Sequence, residues 1–224
     1  MRNRLPGDAA VSCAAHLGDH PDRLRWNARY EGGFEPSFDP HPLVVQALSL
    51  GLPDGPVADL ACGMSGNALF AAAAGRQVIG VDVAEVALDR LAREARRRGL
   101  GDLITLIQAD LQTWRPQPGS FALVLCIGYW EREVFTGAAD AVSPGGAIAW
   151  QAFTAEARRA RDDLPARWCL DPGEPASLLP AGFSVLSQHD LSGDGHGTTR
   201  RLLARRVERA VSRRAHGARP ADGD

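Results

Sequence analysis

The sequence predicts an α/β protein with a doubly wound seven-stranded sheet, mostly parallel, that ends in an antiparallel hairpin. Five short apolar runs alternate with helical segments, and two later strand-like runs are joined by a short Gly-rich connection. Strands that alternate with helices form βαβ units, and nearly continuous apolar strands are typical of a parallel sheet covered on both faces. A length of 224 residues fits one domain of this kind.

Each element follows from its local pattern. The apolar runs predict parallel strands at 57–62, 77–82, 104–109, 121–127 and 147–153. Helical periodicity and Gly or Pro stops predict helices at 22–30, 43–50, 67–74, 84–98 and 131–142. We expect the segment Ser143-Pro144-Gly145-Gly146 to end the last of these helices, and residues 154–161 to form a charged helix. The hairpin strands are predicted at 183–190 and 198–207, on either side of the connection 192–197.

The domain organisation is expected to be simple. Residues 1–20 carry no strong pattern and are predicted to be loosely ordered, residues 21–207 to form one domain, and the Arg-, Gly- and Pro-rich residues 208–224 to form a frayed tail. No run of 18 apolar residues occurs, so no membrane span is expected.

Composition excludes several function classes. The net charge of −2 gives no general attraction to nucleic acid or anionic lipid. All 25 basic residues are Arg, which excludes a catalytic Lys. The four cysteines are widely spaced without a C-x-x-C pair, so no metal site is predicted, and Cys62 and Cys126 are expected to be small buried side chains. This use of cysteine is typical of a reducing cytoplasm.

The first strand leads into a loop of small residues, Asp59 to Gly66, that opens onto a helix. In open α/β sheets the edge at the carboxyl ends of the strands is the usual ligand site, and a turn without large side chains lets a ligand approach the backbone. Asp82 ends the second strand, 19 residues after Gly63, where a carboxylate can accept hydrogen bonds from a ribose diol. NAD, FAD and S-adenosylmethionine all carry that diol.

Three features favour S-adenosylmethionine among these ligands. Asp59 lies inside the strand next to the loop, where an acid suits an ammonium group better than a pyrophosphate. Asp110 follows the third strand, where its carboxylate can accept from an adenine amino group while the backbone N–H after it donates to the ring. The terminal hairpin adds an antiparallel strand that a dinucleotide-binding fold does not predict.

These segments resemble a known series of motifs. The stretch from Asp59 to Asp82, then Asp110, residues 121–130 and residues 143–146 resemble the motifs of class I S-adenosylmethionine-dependent methyltransferases. Residues 26–30, W-N-A-R-Y, are similar to the W-D-x-R-Y opening of the tellurite-resistance and thiopurine-type small-molecule members, and residues 170–174 resemble a late segment of that group. The resemblance spans about residues 26–206. It implies a Rossmann-like fold and methyl transfer to a small molecule by in-line displacement.

The resemblance also implies roles for individual residues. Trp26 and Tyr30 would form a lid over the methionine end of the cofactor. The implied cofactor-binding residues are Trp26, Tyr30, Asp59, Ala61, Gly63, Ser65, Asn67, Asp82, Val83, Asp110, Leu111 and Ile127. Candidate acceptor-side residues are Tyr129 and Trp130, which would shape the acceptor pocket, and His41, which would act as a general base. Each has a structural alternative: core packing for the aromatic side chains, a solvated loop position for His41, turn or helix capping for Asp82 and Asp110, and a satisfied buried carboxylate for Asp59.

The loop departs from the family pattern D-x-G-x-G-x-G. Ala61 and Ser65 occupy two of the three glycine places, and both are tolerable if neither place needs a positive φ. Two other functions therefore remain open: a module that binds the cofactor without turnover, and a nucleic-acid or protein methyltransferase. The near-neutral charge disfavours nucleic acid.

Overall fold

The computed structural model describes residues 14–33, 37–193 and 197–208. Its helices are α1 (Pro21–Glu31), α2 (Pro42–Leu48), α3 (Gly66–Ala73), α4 (Glu85–Arg97) and α5 (Arg132–Ala141). Its strands are β1 (Val57–Leu60), β2 (Val78–Asp82), β3 (Ile104–Gln108), β4 (Phe121–Ile127), β5 (Val142–Thr154), β6 (Cys169–Leu170), β7 (Phe183–Gly193) and β8 (Gly197–Arg206).

Seven strands form one continuous path in the order β3-β2-β1-β4-β5-β8-β7. The first five strands of this path run parallel, whereas β8 pairs antiparallel with β5 and β7 pairs antiparallel with β8. The predicted fold class is therefore confirmed. The short strand β6, which pairs with β5 beside this path, was not predicted.

Apolar side chains cover both faces of the sheet, as the apolar strands predict. On one face α2, α3 and α4 contribute Leu43, Leu69 and Leu91 to a cluster with strand residues such as Leu125. On the other face α5 contributes Phe135, among others. Cys62 and Cys126 are buried free thiols, as expected. Burial of a large aliphatic side chain stabilises the fold by roughly 1.5–3 kcal/mol, so these two layers fix the sheet that carries the ligand edge.

Two predicted elements differ from the structure. Residues 143–146 do not end a helix: they lie within β5, where the pairing with β4 shifts between Phe121↔Val142 and Leu123↔Ala147 and forms an irregularity. The predicted charged helix 154–161 is a short 3-10 helix, Ala155–Arg159, because β5 continues to Thr154. Both errors have one cause, since sheet pairing overrides the local Gly-Pro and charge patterns.

The ends of the chain lie partly outside the described residues. Of the segment predicted to be loosely ordered, residues 14–20 are described and contain a 3-10 turn at Ala15–Leu17 that buries Leu17. The backbone N–H of Ala14 donates to the Gln108 side chain, which ties this segment to β3. The predicted tail lies outside the described residues beyond Glu208. In the described part of the chain, no helix is long and apolar enough to cross a membrane.

Candidate functional site

The chain reverses its direction of sheet growth between β3 and β4. Strands β1, β2 and β3 add outward in turn, and β4 then returns to the other side of β1. This switch point is the usual ligand position in an open α/β sheet. A cavity of about 350 Å³ lies there. Its lining includes His41, Asp59, Ala61, Ser65, Asn67 and Ile127.

Asp59 is a buried carboxylate on the cavity wall. It is 1% exposed, and burial, reinforced by the negative charge of Asp82, raises its pKa to about 8. The Ser65 hydroxyl, 3.5 Å from Oδ2, is a distant donor. Among the described residues Asp59 has no cationic partner. Because an unpaired buried charge is costly, a positive group in the cavity would stabilise the ionised form of this carboxylate.

The loop after β1 has different backbone conformations at the two altered glycine places. Ser65 has φ −75° and caps α3, where its side chain accepts from the Asn67 backbone N–H. Ala61 has φ +50°, the only positive φ of a non-glycine among the described residues. Ser65 therefore replaces glycine without strain. Ala61 does not, because its place in the loop has a positive φ. A left-handed conformation costs an L-residue about 1–2 kcal/mol.

Asp82 holds the ends of β1 and β2 together. Its Oδ2 accepts from the Gly63 N–H and its Oδ1 from the Ala84 N–H, both at 2.8 Å. Each carboxylate oxygen has a second lone-pair position, so both can still accept from ribose hydroxyls. Burial raises the pKa of Asp82 while the backbone donors lower it. The neighbouring Val83 is half-buried, and its carbonyl accepts from Gln108.

Asp110 follows β3 and caps a turn, which is the structural alternative given for it above. Its Oδ1 accepts from the Gln112 N–H at 2.9 Å, which caps the turn, and its Oδ2 lies 3.7 Å from Nε2 of His20. Leu111 is 6% exposed and packs in the core. The adenine contact predicted for this pair stays a prediction.

Three comparisons with known proteins bear on this geometry. Residues 57–146 match the family model described as a methyltransferase domain. This match, over less than half of the chain, bears out the predicted resemblance to class I S-adenosylmethionine-dependent methyltransferases. S-adenosylmethionine, the cofactor predicted here, is the cofactor that this family uses.

The individual relatives are more distant. The chain is 26% identical over 112 residues to a 2-heptyl-1-hydroxyquinolin-4(1H)-one methyltransferase of Mycobacteroides abscessus, a match that covers 50% of this chain and 47% of that protein. The chain thus spans about half the length of this curated relative. Its fold is similar to TehB from Haemophilus influenzae (TM-score 0.62, 16% identity, covering 80% and 66% of the two chains). It is also similar to the [4+2]-cyclase SpnF (TM-score 0.59, 19% identity, 74% and 80%). The resemblance to tellurite-resistance-type enzymes fits the similarity to TehB.

Helix α1 covers the glycine loop of the methyltransferase domain. Trp26 and Tyr30 stack with ring centroids 5.8 Å apart and pack with Met64. A Cβ added at Gly63 would lie 2.9 Å from the Tyr30 hydroxyl oxygen. Burial and the charge of Asp82 raise the pKa of Tyr30 above its usual range. Tyr30 therefore lies against Gly63, the part of the loop that Asp82 holds. Neither Trp26 nor Tyr30, the residues predicted to cover the methionine end of the cofactor, lines the cavity beside Asp59.

Helix α1, which carries Trp26 and Tyr30, is anchored to α4. Arg23 forms a two-pronged ion pair with Glu85, and the Asn27 side chain accepts from the Val86 backbone N–H at 3.3 Å. Asn27 is 8% exposed and uses its amide oxygen as a cap for α4. This cap needs only an oxygen acceptor, so Asn27 can form it at the position that holds Asp in the W-D-x-R-Y motif.

Of the three candidate acceptor-side residues, Trp130 is corrected by the structure. It is 4% exposed and packs against Phe135 and Trp150 in the core, so the packing alternative is the right one. Tyr129 is half-buried at the end of β4, where burial and the charge of Glu131 raise the pKa of its hydroxyl. Its neighbour Ile127 lines the cavity.

His41 lines the cavity but is neither a solvated loop residue nor a poised base. Its Nδ1 accepts from the Leu43 N–H at 3.2 Å and caps α2, and its backbone N–H donates to the Asn67 side chain at 2.9 Å. Its Nε2 lies 3.2 Å from Nη2 of Arg201. Burial and the charge of Arg201 lower the pKa of His41 to about 4, so the ring is neutral near pH 7.

Sequence reasoning assigned no role to Gln151 or Arg201 and did not foresee the packing at Gly66. A Cβ at Gly66 would lie 2.2 Å from the Phe38 carbonyl oxygen, so the segment that carries His41 approaches α3 as closely as a glycine allows. Gln151 and Arg201 face His41 from β5 and β8. A single Gln in an otherwise apolar strand was a visible signal for Gln151. The approach at Gly66 depends on tertiary packing and leaves no local signal.

Proposed function

We propose that this chain transfers a methyl group from S-adenosylmethionine to a small-molecule acceptor by in-line displacement. The observation that carries the proposal is the placement of Asp59, a buried carboxylate without a cationic partner among the described residues, on a cavity at the switch point of a methyltransferase fold. The cofactor supplies an activated methyl group on a sulfonium leaving group. The protein contributes positioning and exclusion of water.

The residues around the cavity suit the parts of the cofactor. Asp59 would bind the ammonium of the methionine portion, and Asp82 would accept from the ribose hydroxyls while it holds the Gly63 N–H. Asp110 would accept from the adenine amino group. Tyr30, which rests on the loop beside Asp82, would cover the ribose. A charge-matched, closed site of this kind holds the ligand in one orientation, which is what an in-line reaction requires.

The acceptor would enter at the ends of β4 and β5. Tyr129 and Ile127 lie at this edge, and Ile127 joins it to the cavity. The curated relative from Mycobacteroides abscessus is named for methylation of a hydroxyquinolone, which supports a small, ring-containing acceptor for this chain. The net charge of −2 gives no support to a nucleic-acid substrate.

The test has two stages. Calorimetric titration of the full chain with S-adenosylhomocysteine should show binding, and Asp59→Asn should weaken it by roughly tenfold or more because a charged hydrogen-bond partner is lost. Asp102→Asn, at an exposed acid that precedes β3 and does not line the cavity, is the matched control and should bind like the wild type. A panel of hydroxylated, amino and thiol compounds with methyl-labelled cofactor then identifies the acceptor. Folded protein that binds no S-adenosylhomocysteine would sink the proposal.

A second candidate is a protein that holds the cofactor without methyl transfer. The similar fold of a [4+2]-cyclase favours keeping it, since that neighbour is named for a different reaction. The strained Ala61 in the cofactor loop is also unusual for the family pattern. Tight cofactor binding with no labelled product across the whole panel would favour this candidate over the methyltransferase.

A further inference from the structure

Three polar side chains, His41, Gln151 and Arg201, meet beside the cavity on one face of the sheet. Ile127, Gln151 and Arg201 lie in register on β4, β5 and β8, so their side chains project from the same face. His41, at the start of α2, lies over them. Arg201 donates through Nε to Oε1 of Gln151 at 2.5 Å, and its Nη2 lies 3.2 Å from Nε2 of His41. Since Ile127 and His41 line the cavity, this cluster borders it.

Arg201 differs from the other three arginines of β8. Arg200 forms an ion pair with Asp190, while Arg205 and Arg206 donate to backbone carbonyls. Arg201 has only the two neutral side chains, and within the described ranges it forms no ion pair. Its guanidinium is half-buried, and burial lowers its pKa. A partly desolvated cation with neutral partners attracts an anion.

The hydrogen bonds of His41 leave one donor without an acceptor. The Leu43 N–H points at Nδ1 and the Arg201 guanidinium at Nε2. A neutral imidazole has only one acceptor nitrogen, so in either tautomer one of these donors faces an N–H. If the proton is on Nε2, the Gln151 side chain can accept from it, and Nη2 of Arg201 is the donor that faces an N–H. An anion beside Nη2 would accept from Arg201 and resolve the conflict.

We propose that Arg201, supported by His41 and Gln151, binds a carboxylate or similar small anion of the ligand in this cavity. The proposal rests on the proposed function for the source of the anion. Arg201 lies on β8, three strands from Asp59 on β1, which places it toward the acceptor rather than the cofactor. The acceptor would therefore carry an anionic group that binds to Arg201. The reacting atom of the acceptor would then lie at the end of β4, facing the methyl group.

The experiment uses formate, acetate and benzoate as anion probes, with benzamide as the neutral match for benzoate. Each is titrated by ¹⁵N NMR of the arginine side chains into the full chain saturated with S-adenosylhomocysteine, and again without it. The variants are Arg201→Gln and, as matched control, Arg205→Gln, which removes the same charge from the same face of β8 at its far end. Circular dichroism checks that both variants are folded.

We expect at least one carboxylate probe, but not benzamide, to bind the wild type and Arg205→Gln, with about tenfold or greater weakening in Arg201→Gln. If Arg201→Gln instead weakens S-adenosylhomocysteine about tenfold but leaves its decarboxylated analogue unchanged, then the site is real and the anion is the cofactor's own carboxylate. If no probe binds in an Arg201-dependent manner and Arg201→Gln binds S-adenosylhomocysteine like the wild type, the proposed anion site does not exist. Failure of S-adenosylhomocysteine to bind contradicts the proposed function alone, because the titrations without cofactor still test Arg201.

Discussion

The Asp82 side chain accepts a 2.8 Å hydrogen bond from the backbone N–H of Gly63, 19 residues earlier in the chain. The acid proposed to bind ribose and the loop proposed to approach the cofactor therefore form one unit. The other carboxylate oxygen accepts from Ala84 and fixes the start of α4. The loop is thus held in shape by the protein itself, which reduces the ordering cost when a ligand binds.

Substitution of Asp82 should lower both stability and cofactor affinity. Asp82→Ala leaves the buried N–H groups of Gly63 and Ala84 unpaired, and each such group costs about 1–3 kcal/mol. Asp82→Asn keeps one acceptor oxygen and should lie between Asp82→Ala and the wild type. Urea unfolding gives the stability, and calorimetry with S-adenosylhomocysteine below the unfolding transition gives the affinity.

The matched control is Asp89→Ala, a partly exposed acid on α4 whose ion pair with Arg93 is 3.6 Å long. Surface pairs of this kind contribute about 0–1 kcal/mol, so little change is expected. Equal stability of Asp82→Ala and Asp89→Ala would contradict the structural role given to Asp82.

The sequence predicted the sheet well because each parallel strand is apolar on both faces and ends at a recognisable turn. Val57–Leu60 and Phe121–Ile127 are examples, and their pairing follows from the βαβ rule rather than from any one residue. Residues 143–146 were misjudged because Pro and Gly normally end an element. Here the irregular pairing with β4 accommodates them within β5, which no local pattern reveals.

Ala61→Gly should stabilise the protein. The φ of +50° costs alanine about 1–2 kcal/mol, and glycine removes this strain. Glycine also has greater conformational freedom in the unfolded chain, which offsets about 0.4–1 kcal/mol of the gain. The expected net gain is roughly 0.5–1 kcal/mol in the free energy of unfolding, measured by urea denaturation. Ala92→Gly, inside α4, is the control and should lose about 1 kcal/mol, because helical glycine is unfavourable. A loss for Ala61→Gly similar to that of Ala92→Gly would show that the positive φ stores no strain.

Two glycines separate a steric requirement from a simple propensity effect. A Cβ at Gly66 would meet the Phe38 carbonyl oxygen at 2.2 Å, whereas nothing lies within 4 Å of a Cβ at Gly137 in α5. Gly66→Ala should destabilise the protein by roughly 1–3 kcal/mol and displace the segment that carries His41. Gly137→Ala should stabilise it by up to about 1 kcal/mol. Thermal unfolding of both variants tests this, and the prediction fails if they shift the transition in the same direction.

The site was predictable where function coincides with strand ends and hidden where it depends on packing. Asp59 and Asp82 were found because each ends or lies within an apolar strand before a turn. Trp130 was misassigned because position at a strand end does not say which way a side chain turns, and its ring faces Trp150 in the core. Arg201 could not be recognised, because its lack of an ion pair becomes visible only when β5, β8 and α2 are brought together.

The raised pKa of Asp59 makes stability depend on pH in a specific direction. Burial holds this pKa at about 8 in the folded chain, against an ordinary value of 3.8. The folded state then keeps a proton that the unfolded chain has lost, so the stabilising contribution is fully present below about pH 4 and is lost as pH rises toward about 8. Asp59→Asn removes this contribution. Relative to Asp59→Asn, the wild type without cofactor should lose stability across that range, as measured by urea unfolding at a series of pH values. Parallel curves for the two proteins would mean that Asp59 is already ionised.

The same carboxylate should link cofactor binding to proton release. An ammonium group in the cavity stabilises the ionised form of Asp59, so S-adenosylhomocysteine lowers its pKa and displaces its proton at pH values below about 8. Calorimetry near neutral pH in buffers of different ionisation enthalpy should therefore report release of up to one proton, falling toward zero by about pH 9. Asp59→Asn should release fewer protons than the wild type at pH values below about 8, while Asp102→Asn should match the wild type. If the wild type and Asp59→Asn release equal numbers of protons, then the ammonium group does not bind beside Asp59 and the cofactor lies differently in the cavity.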